Sequence, residues 1–392
     1  METEYQYLLH LLGAWIRKAE PKTADTVDWD KLMQLAQIHS VTGIVGYMGM
    51  KYPICPDEAR KSAFRSLCLG TVSLFAQRTA AAMALTGELE KAGIDHIIMK
   101  GLVLRDLYPV PELRTFNDVD IVIRTEDRQK CDALMMAMNF QRHTDWEPVY
   151  SYVRGKELYE FHTEIMEIDV SDRADYKGYF RNMWDHTRQT GSYSFRFTPE
   201  FEFLYMLTHI AKHVHGSGAG IRMYLDVAVY IRHYGEKLDW NWIREQLKEL
   251  KLEDFANTVM TAAEQWFDIP APVRVKPVAP DVMSAFLDYT MEAGVFGHHN
   301  RNAAVTELKH AGQDSASRLR HVLHEVFPKV ETIQNRYTYL QDRPWMLPAA
   351  WVHRMVKNKD KFGRRIRQIQ DVLDADVREV LELQNLMREI GL

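Results

Sequence analysis

A chain of 392 residues exceeds one ordinary domain, so two or three units are expected, each able to bury a core. With 49 basic against 54 acidic side chains the net charge is −5, which excludes a globally basic nucleic-acid binder; a 46% hydrophobic fraction excludes a disordered one. Cys55, Cys68 and Cys131 form no CxxC arrangement and read as inert thiols, and no apolar run is long enough to span a bilayer. The opening lacks the basic start and small-residue cleavage site of a signal peptide, so the expected setting is cytoplasmic.

Residues 1–92 read as an N-terminal helical region. Tyr5, Leu8, Leu9, Leu12 and Ile16 recur at helical spacing, a second amphipathic run follows from Trp29, and a long helix runs from about Pro56 to Ala92 before Gly93 stops it. Residues 93–178 read as an α/β core. It starts with a short strand ending at Met99, a Lys100-Gly101 turn into a helix stopped by Pro109 and Pro111, and a strand from Val119 to Ile123. Thr125 reads as the cap of a helix reaching about Met138, and Tyr150–Val153, a turn at Arg154-Gly155-Lys156 and Leu158–Val170 read as an antiparallel hairpin. From about Tyr179 the pattern returns to helix, giving a region over 179–270 that closes a cleft. A mostly helical region over 271–392 follows the proline-rich bridge from Ile269 to Pro280.

The chemistry resides in the α/β core. Strand residues alternate faces, so Asp118 and Asp120 point the same way, about 7 Å apart along the strand, and converge on one or two hard cations. On a largely buried strand two carboxylates repel each other and suffer desolvation unless a cation sits between them. A third acid from a neighbouring strand would complete such a site. The stretch Tyr159–Asp169 offers Glu160, His162 and Glu164 on one face and Glu167 and Asp169 on the other, and parity alone does not choose. Lys100 and Gly101 sit where a helix begins, so an ammonium and backbone amides can meet phosphates. Arg114, four residues before Asp118, reads equally as a phosphate contact or as a structural partner of the acidic strand.

The order Lys100-Gly101, Leu107-Tyr108-Pro109 and Arg114-x-x-x-Asp118-x-Asp120 resembles the uncharacterised nucleotidyltransferase family, a bacterial branch of the DNA polymerase beta-like superfamily. Shorter likenesses extend it: His213, Gly218-Ala219-Gly220-Ile221-Arg222 and Asp226, then Val326-Phe327-Pro328, Arg336-Tyr337 and Leu347-Pro348. The resemblance implies an α+β fold, a small mixed nucleotidyltransferase-type sheet flanked by N-terminal and C-terminal helical regions. It implies transfer of a nucleoside monophosphate from a nucleoside triphosphate to an unknown acceptor, with release of pyrophosphate. Mg2+ would be the cofactor, with Mn2+ as the substitute. The family's acid-apolar-His pattern is matched by Glu160-Phe161-His162, which favours Glu160 as third metal ligand with His162 beside it and Glu167 or Asp169 as fallbacks. Lys100-Gly101 stands where classical superfamily members carry Gly-Ser, so triphosphate binding differs from the classical mode.

Other features compete. His213, Arg222 and Asp226 read either as cleft residues touching nucleotide or acceptor, or as a core histidine beside an Arg222–Asp226 helix pair. His209, His213 and His215 lack a carboxylate at zinc-site spacing. The basic run Arg354, Lys357, Lys359, Lys361, Arg364, Arg365 and Arg367 reads as a solvated helix face balanced by later acids, so nucleic acid is not a favoured partner. The class competing with an enzyme is a catalytically silent nucleotide-binding or interaction module of the same fold.

Overall fold

The computed structural model describes residues 3–24, 26–55, 57–167, 170–216, 218–294, 327–334, 337, 339–357 and 377–392. The first quarter is helical: α1 (Thr3–Arg17), α2 (Trp29–Ile38), α3 (Thr42–Lys51) and the long α4 (Glu58–Lys91). In α1 the buried Leu8, Leu11, Leu12, Trp15 and Ile16 form the stripe that drives packing. Asp57 caps α4 by accepting the amide of Arg60, and Gly93 terminates it in the left-handed region, at φ +61°.

The sheet that follows is built from β1 (His96–Ile98), β2 (Val119–Ile123), β3 (Gln141–Trp146), β4 (Val149–Arg154), β5 (Glu157–His162), β6 (Thr187–Gln189) and β7 (Ser194–Phe197), in the order β3-β4-β5-β2-β1-β7-β6. The one-turn α5 (Gly101–Leu104) joins β1 to β2 through two 3-10 turns, α6 (Arg128–Ala137) joins β2 to β3, and α7 (Tyr176–Phe180) precedes β6. β2 runs antiparallel to β1 and parallel to β5, which places β2 at the centre with Asp120 opposite Glu160 and Val122 opposite His162.

This is the mixed α+β architecture expected, with three differences in detail. The hairpin after residue 150 forms, but its second strand ends at His162, not Val170, and the polar segment 141–146 adds an edge strand to it. The segment after Tyr179, expected to be helical, contributes β6 and β7 to the far edge. Thr125 opens a 3-10 turn without a side-chain cap, because Arg124 occupies the capping position.

The sheet divides two apolar cores. On one face Val119, Ile121 and Ile123 of β2 and Tyr159 and Phe161 of β5 pack with Phe75, Leu85 and Leu89 of α4 and with Cys131 and Met135 of α6. The other face meets the helices α8 (Pro199–Gly216), α9 (Ile221–Tyr234), α10 (Trp240–Glu249) and α11 (Glu253–Phe267), whose core is continuous with that of α1–α3. Because alternation sends odd residues of β2 into the first core, Asp120 necessarily faces the helices. Beyond α12 (Pro280–Ala293) come α13 (Val330–Ile333), α14 (Tyr339–Asp342), α15 (Leu347–Lys357) and α16 (Val377–Glu389). Of the basic run, Lys359, Lys361, Arg364, Arg365 and Arg367 lie outside the described residues, as do Val326, Arg336 and Asp169. The cysteines are free thiols, and among the described residues no helix is long and apolar enough to cross a membrane.

Candidate functional site

The turn between β1 and α5 fixes the first component. The Met99 amide donates to the Asp120 carbonyl at 3.0 Å, and Lys100 then takes φ +52°, a backbone region that non-glycine residues occupy at a cost of about 1–3 kcal/mol. Its carbonyl accepts the amides of Val103 and Leu104 at 3.1 and 2.9 Å, so the strained residue is held by α5. Gly101 is buried, and a Cβ there would collide with the Arg114 guanidinium and lie 2.8 Å from Cβ of Phe116. Its need for glycine therefore comes from packing against Arg114.

Of the sequence-derived acids, Asp120 and Glu160 meet on the helix-facing side of the sheet, whereas Asp118, which precedes β2, lines the cleft outside their cluster. Lys100 Nζ donates to Asp120 Oδ1 at 2.8 Å, and His162 Nε2 lies 2.9 Å from the same oxygen and 4.0 Å from Glu160 Oε2. Asp120, Glu160 and His162 each offer a ligand atom, and these lie within 4.8 Å of one another. Burial would raise the Asp120 carboxyl, but Lys100 and His162 outweigh it and hold it below the usual carboxylate range. The Lys100 ammonium, which burial alone would lower, is held above its ordinary value by Asp120 and then Tyr205. Asp118, which precedes β2, is raised by burial and then by the charge of Asp120, and Glu160 is raised by burial and then by both aspartates. The unrelieved repulsion sits on Asp118 and Glu160. That, with an oxygen- and imidazole-donor set at this spacing, is what a hard divalent ion would relieve, so the residues fit such an ion.

Arg114 and Asp226 form a separate buried clamp. Arg114 Nε and Nη2 donate to Asp226 Oδ1 and Oδ2 at 3.0 and 2.6 Å, and the Tyr108 hydroxyl donates to Oδ1 at 2.5 Å. The remaining Arg114 nitrogen, Nη1, donates to the Thr115 carbonyl at 3.0 Å. Asp226 thus pairs across the fold, not with Arg222 one helical turn away. Arg222 Nη1 instead donates to the carbonyl and hydroxyl of Thr115 at 3.0 and 3.1 Å, while its Nε is buried without a partner. Burial, and then Arg114, lower the Arg222 guanidinium to about 10.

Helix α8 closes the other wall with Glu202, Tyr205, His209, Lys212 and His213. His209 and His213 approach through their Nε2 atoms at 3.1 Å, one ring donating to the other. His209 is lowered well below the ordinary value by burial and Lys100, and His213 to about 4 by burial, Lys212 and Lys100, so both are neutral at neutral pH. Burial lowers Lys212 and raises Glu202 to about 7. Glu202 and Tyr205 are not apparent from motif spacing. The available signal is that polar residues recur at 202, 205, 209 and 212–213, along one face of an amphipathic helix.

These elements enclose a cleft of about 530 Å³ whose lining includes every sequence-derived candidate: Lys100, Gly101, Arg114, Asp118, Asp120, Glu160, His162, His213, Arg222 and Asp226. Glu167 also reaches it, from the loop after β5. Among the described residues, Glu160 and not Glu167 groups with Asp120 and His162.

Three comparisons bear on this geometry. Residues 25–268, which span the cleft and its flanking helices, match the family described as uncharacterised nucleotidyltransferase. No curated protein matches. A solution structure of the antibiotic-resistance factor ANT(2'')-Ia is similar over 44% of this chain and 92% of that one, with 11% identity and a TM-score of 0.33.

Proposed function

The chain belongs to the uncharacterised nucleotidyltransferase family, and we propose that it transfers a nucleoside monophosphate from a nucleoside triphosphate to an acceptor hydroxyl, releasing pyrophosphate with Mg2+ as cofactor. The observation that carries this reading is the convergence of Asp120, Glu160 and His162 within 4.8 Å in a cleft that also holds Lys100 and Arg222. In this reading residues 93–178 carry the chemistry, 179–270 close the cleft, and the helical regions 1–92 and 271–392 flank them.

When bound, a divalent ion supplies charge neutralisation for phosphoryl transfer and acidifies the attacking hydroxyl. Asp118, Asp120 and Glu160, with His162 beside them, are the residues that would hold it. Glu160 lies at the open edge of the cluster, its side chain 30% exposed against 5% for Asp120, which suits it to take the acceptor's proton. Arg222, at the start of α9, orients the triphosphate together with Lys100 and the Gly101 amide. The Arg114–Asp226 clamp positions the turn that carries Lys100 and Gly101 and touches no substrate.

The test is release of pyrophosphate from labelled nucleoside triphosphates in the presence of Mg2+, across sugar, nucleic-acid-end and protein acceptors. Asp118→Asn and Asp120→Asn are expected to lower it by about 10²–10³-fold or more. Turnover that survives Asp120→Asn refutes the assignment. Nucleotide binding without turnover on any acceptor supports the silent module, a reading favoured by the occupation of Asp120 Oδ1 by Lys100 and His162 together.

A further inference from the structure

We propose that Lys100 is an exchangeable cation: its ammonium holds Asp120 in the metal-free protein, and a divalent ion entering between Asp120, Glu160 and His162 displaces it into the cleft, where it meets the triphosphate. The inference rests on the nucleotidyl-transfer reading of the same site and adds an order of events to it.

The geometry is one of competition. Lys100 Nζ and His162 Nε2 share a single oxygen, Asp120 Oδ1, at 2.8 and 2.9 Å. A hard ion held by this carboxylate at roughly 2.0–2.6 Å would lie within a few ångström of the ammonium, and two like charges on one buried carboxylate repel. The ammonium is the partner able to leave. Lysine presents a compact charge on a flexible stem, whereas Arg114 is fixed on Asp226 by a bidentate fork. The Lys100 side chain is 26% exposed, against 7% for Arg114, so it has cleft space to move into.

The backbone does not move with it. The Lys100 carbonyl is anchored by two amides of α5, and the preceding Met99 amide is anchored to β2, so the residue stays at φ +52° while the stem swings. Tyr205 of α8 lines the same cleft as Lys100. No bond is made or broken; a paired ammonium becomes available when a triphosphate arrives with charge to pair with it. A lysine at this turn thereby pairs with Asp120 before the ion binds and serves the substrate afterwards.

The experiment measures Mn2+ binding to the full chain without nucleotide, from the electron paramagnetic resonance signal of the free ion. Lys100→Met and Lys100→Gln are expected to bind Mn2+ about tenfold or more tightly than the wild type, the scale set by loss of one competing charge-assisted contact. Equal or weaker binding by both variants overturns the exchange and leaves the metal reading standing. No Mn2+ bound by any of the proteins, with or without a triphosphate analogue, overturns both. A second measurement needs no variant: amine-specific labelling of Lys100 in the wild type, read by peptide mass spectrometry. Mn2+ is expected to raise labelling several-fold and a non-hydrolysable triphosphate analogue to lower it again, and labelling indifferent to Mn2+ overturns the proposal.

Discussion

Replacing Asp226 with alanine separates a residue that holds the fold from one that touches a ligand. The carboxylate accepts both arms of the Arg114 fork and the Tyr108 hydroxyl, and the Arg114 and Asp226 side chains are 7% and 6% exposed. Without it, Arg114 keeps one hydrogen bond, to the Thr115 carbonyl, and lies beside a second buried cation, Arg222. Breaking one side of a buried pair in this way costs about 3–5 kcal/mol, and the lost Tyr108 contact belongs within that figure because the three groups act as a unit. The assay is urea unfolding followed by tryptophan fluorescence, for which Trp15, 5.6 Å from the Tyr108 ring, is a local reporter. Because neutral replacement of both partners removes the uncompensated charge, Arg114→Met with Asp226→Leu is expected to recover much of the loss. A loss below about 1 kcal/mol for the alanine variant would refute the clamp and return Asp226 to the ligand-binding residues.

Two further outcomes concern other residues of the cleft. Gly101→Ala, which drives a methyl into the Arg114 guanidinium and Phe116, is expected to cost about 1–3 kcal/mol in the same assay and to weaken nucleotide binding; a variant as stable as wild type would show that the turn has slack. Burial holds the half-buried Glu202 carboxyl at about 7 in the folded chain, against 4.5 ordinarily. Between those values the folded state keeps a proton that the unfolded state releases, so stability falls as pH rises through the window. Glu202→Gln is expected to flatten that slope by about 2 kcal/mol in unfolding free energies compared at pH 5 and pH 8, and an unchanged slope would remove Glu202 from the account.

Much of the core was legible because chemistry and periodicity coincide there. Two acids at i and i+2 in an otherwise apolar strand imply one polar face, but parity leaves the third acid open, and only the resemblance to an acid-apolar-His pattern singles out Glu160 and His162. The partners of Arg114 and Asp226 were not legible. Spacing suggests Arg222 for Asp226, whereas the observed pair is separated by 112 residues and exists only because α9 packs over the turn after β1. The strand Gln141–Trp146 is polar at almost every position, as an edge strand can be, and lacks the alternation by which strands are recognised. Residues 187–197 form strands too short to generate a period. Glu202 and Tyr205 were hidden for another reason: α8 reads as an amphipathic helix, but its polar face carries no motif spacing that marks those two positions.

The in-register pairing of Asp120 with Glu160 has a consequence for how the sheet assembles. A slip of β2 by one residue would turn its acids toward α4 and α6, among Phe75, Leu85, Leu89 and Met135, where each unpaired carboxylate would cost several kcal/mol. Its apolar residues would meanwhile face the polar cleft. Parallel strands joined by a long excursion have no tight turn to set their register, so the carboxylates add to the burial of the apolar face and the pairing with β1 in selecting it. A variant stripped of these acids loses more than a metal site: it loses a penalty against assembling the wrong sheet.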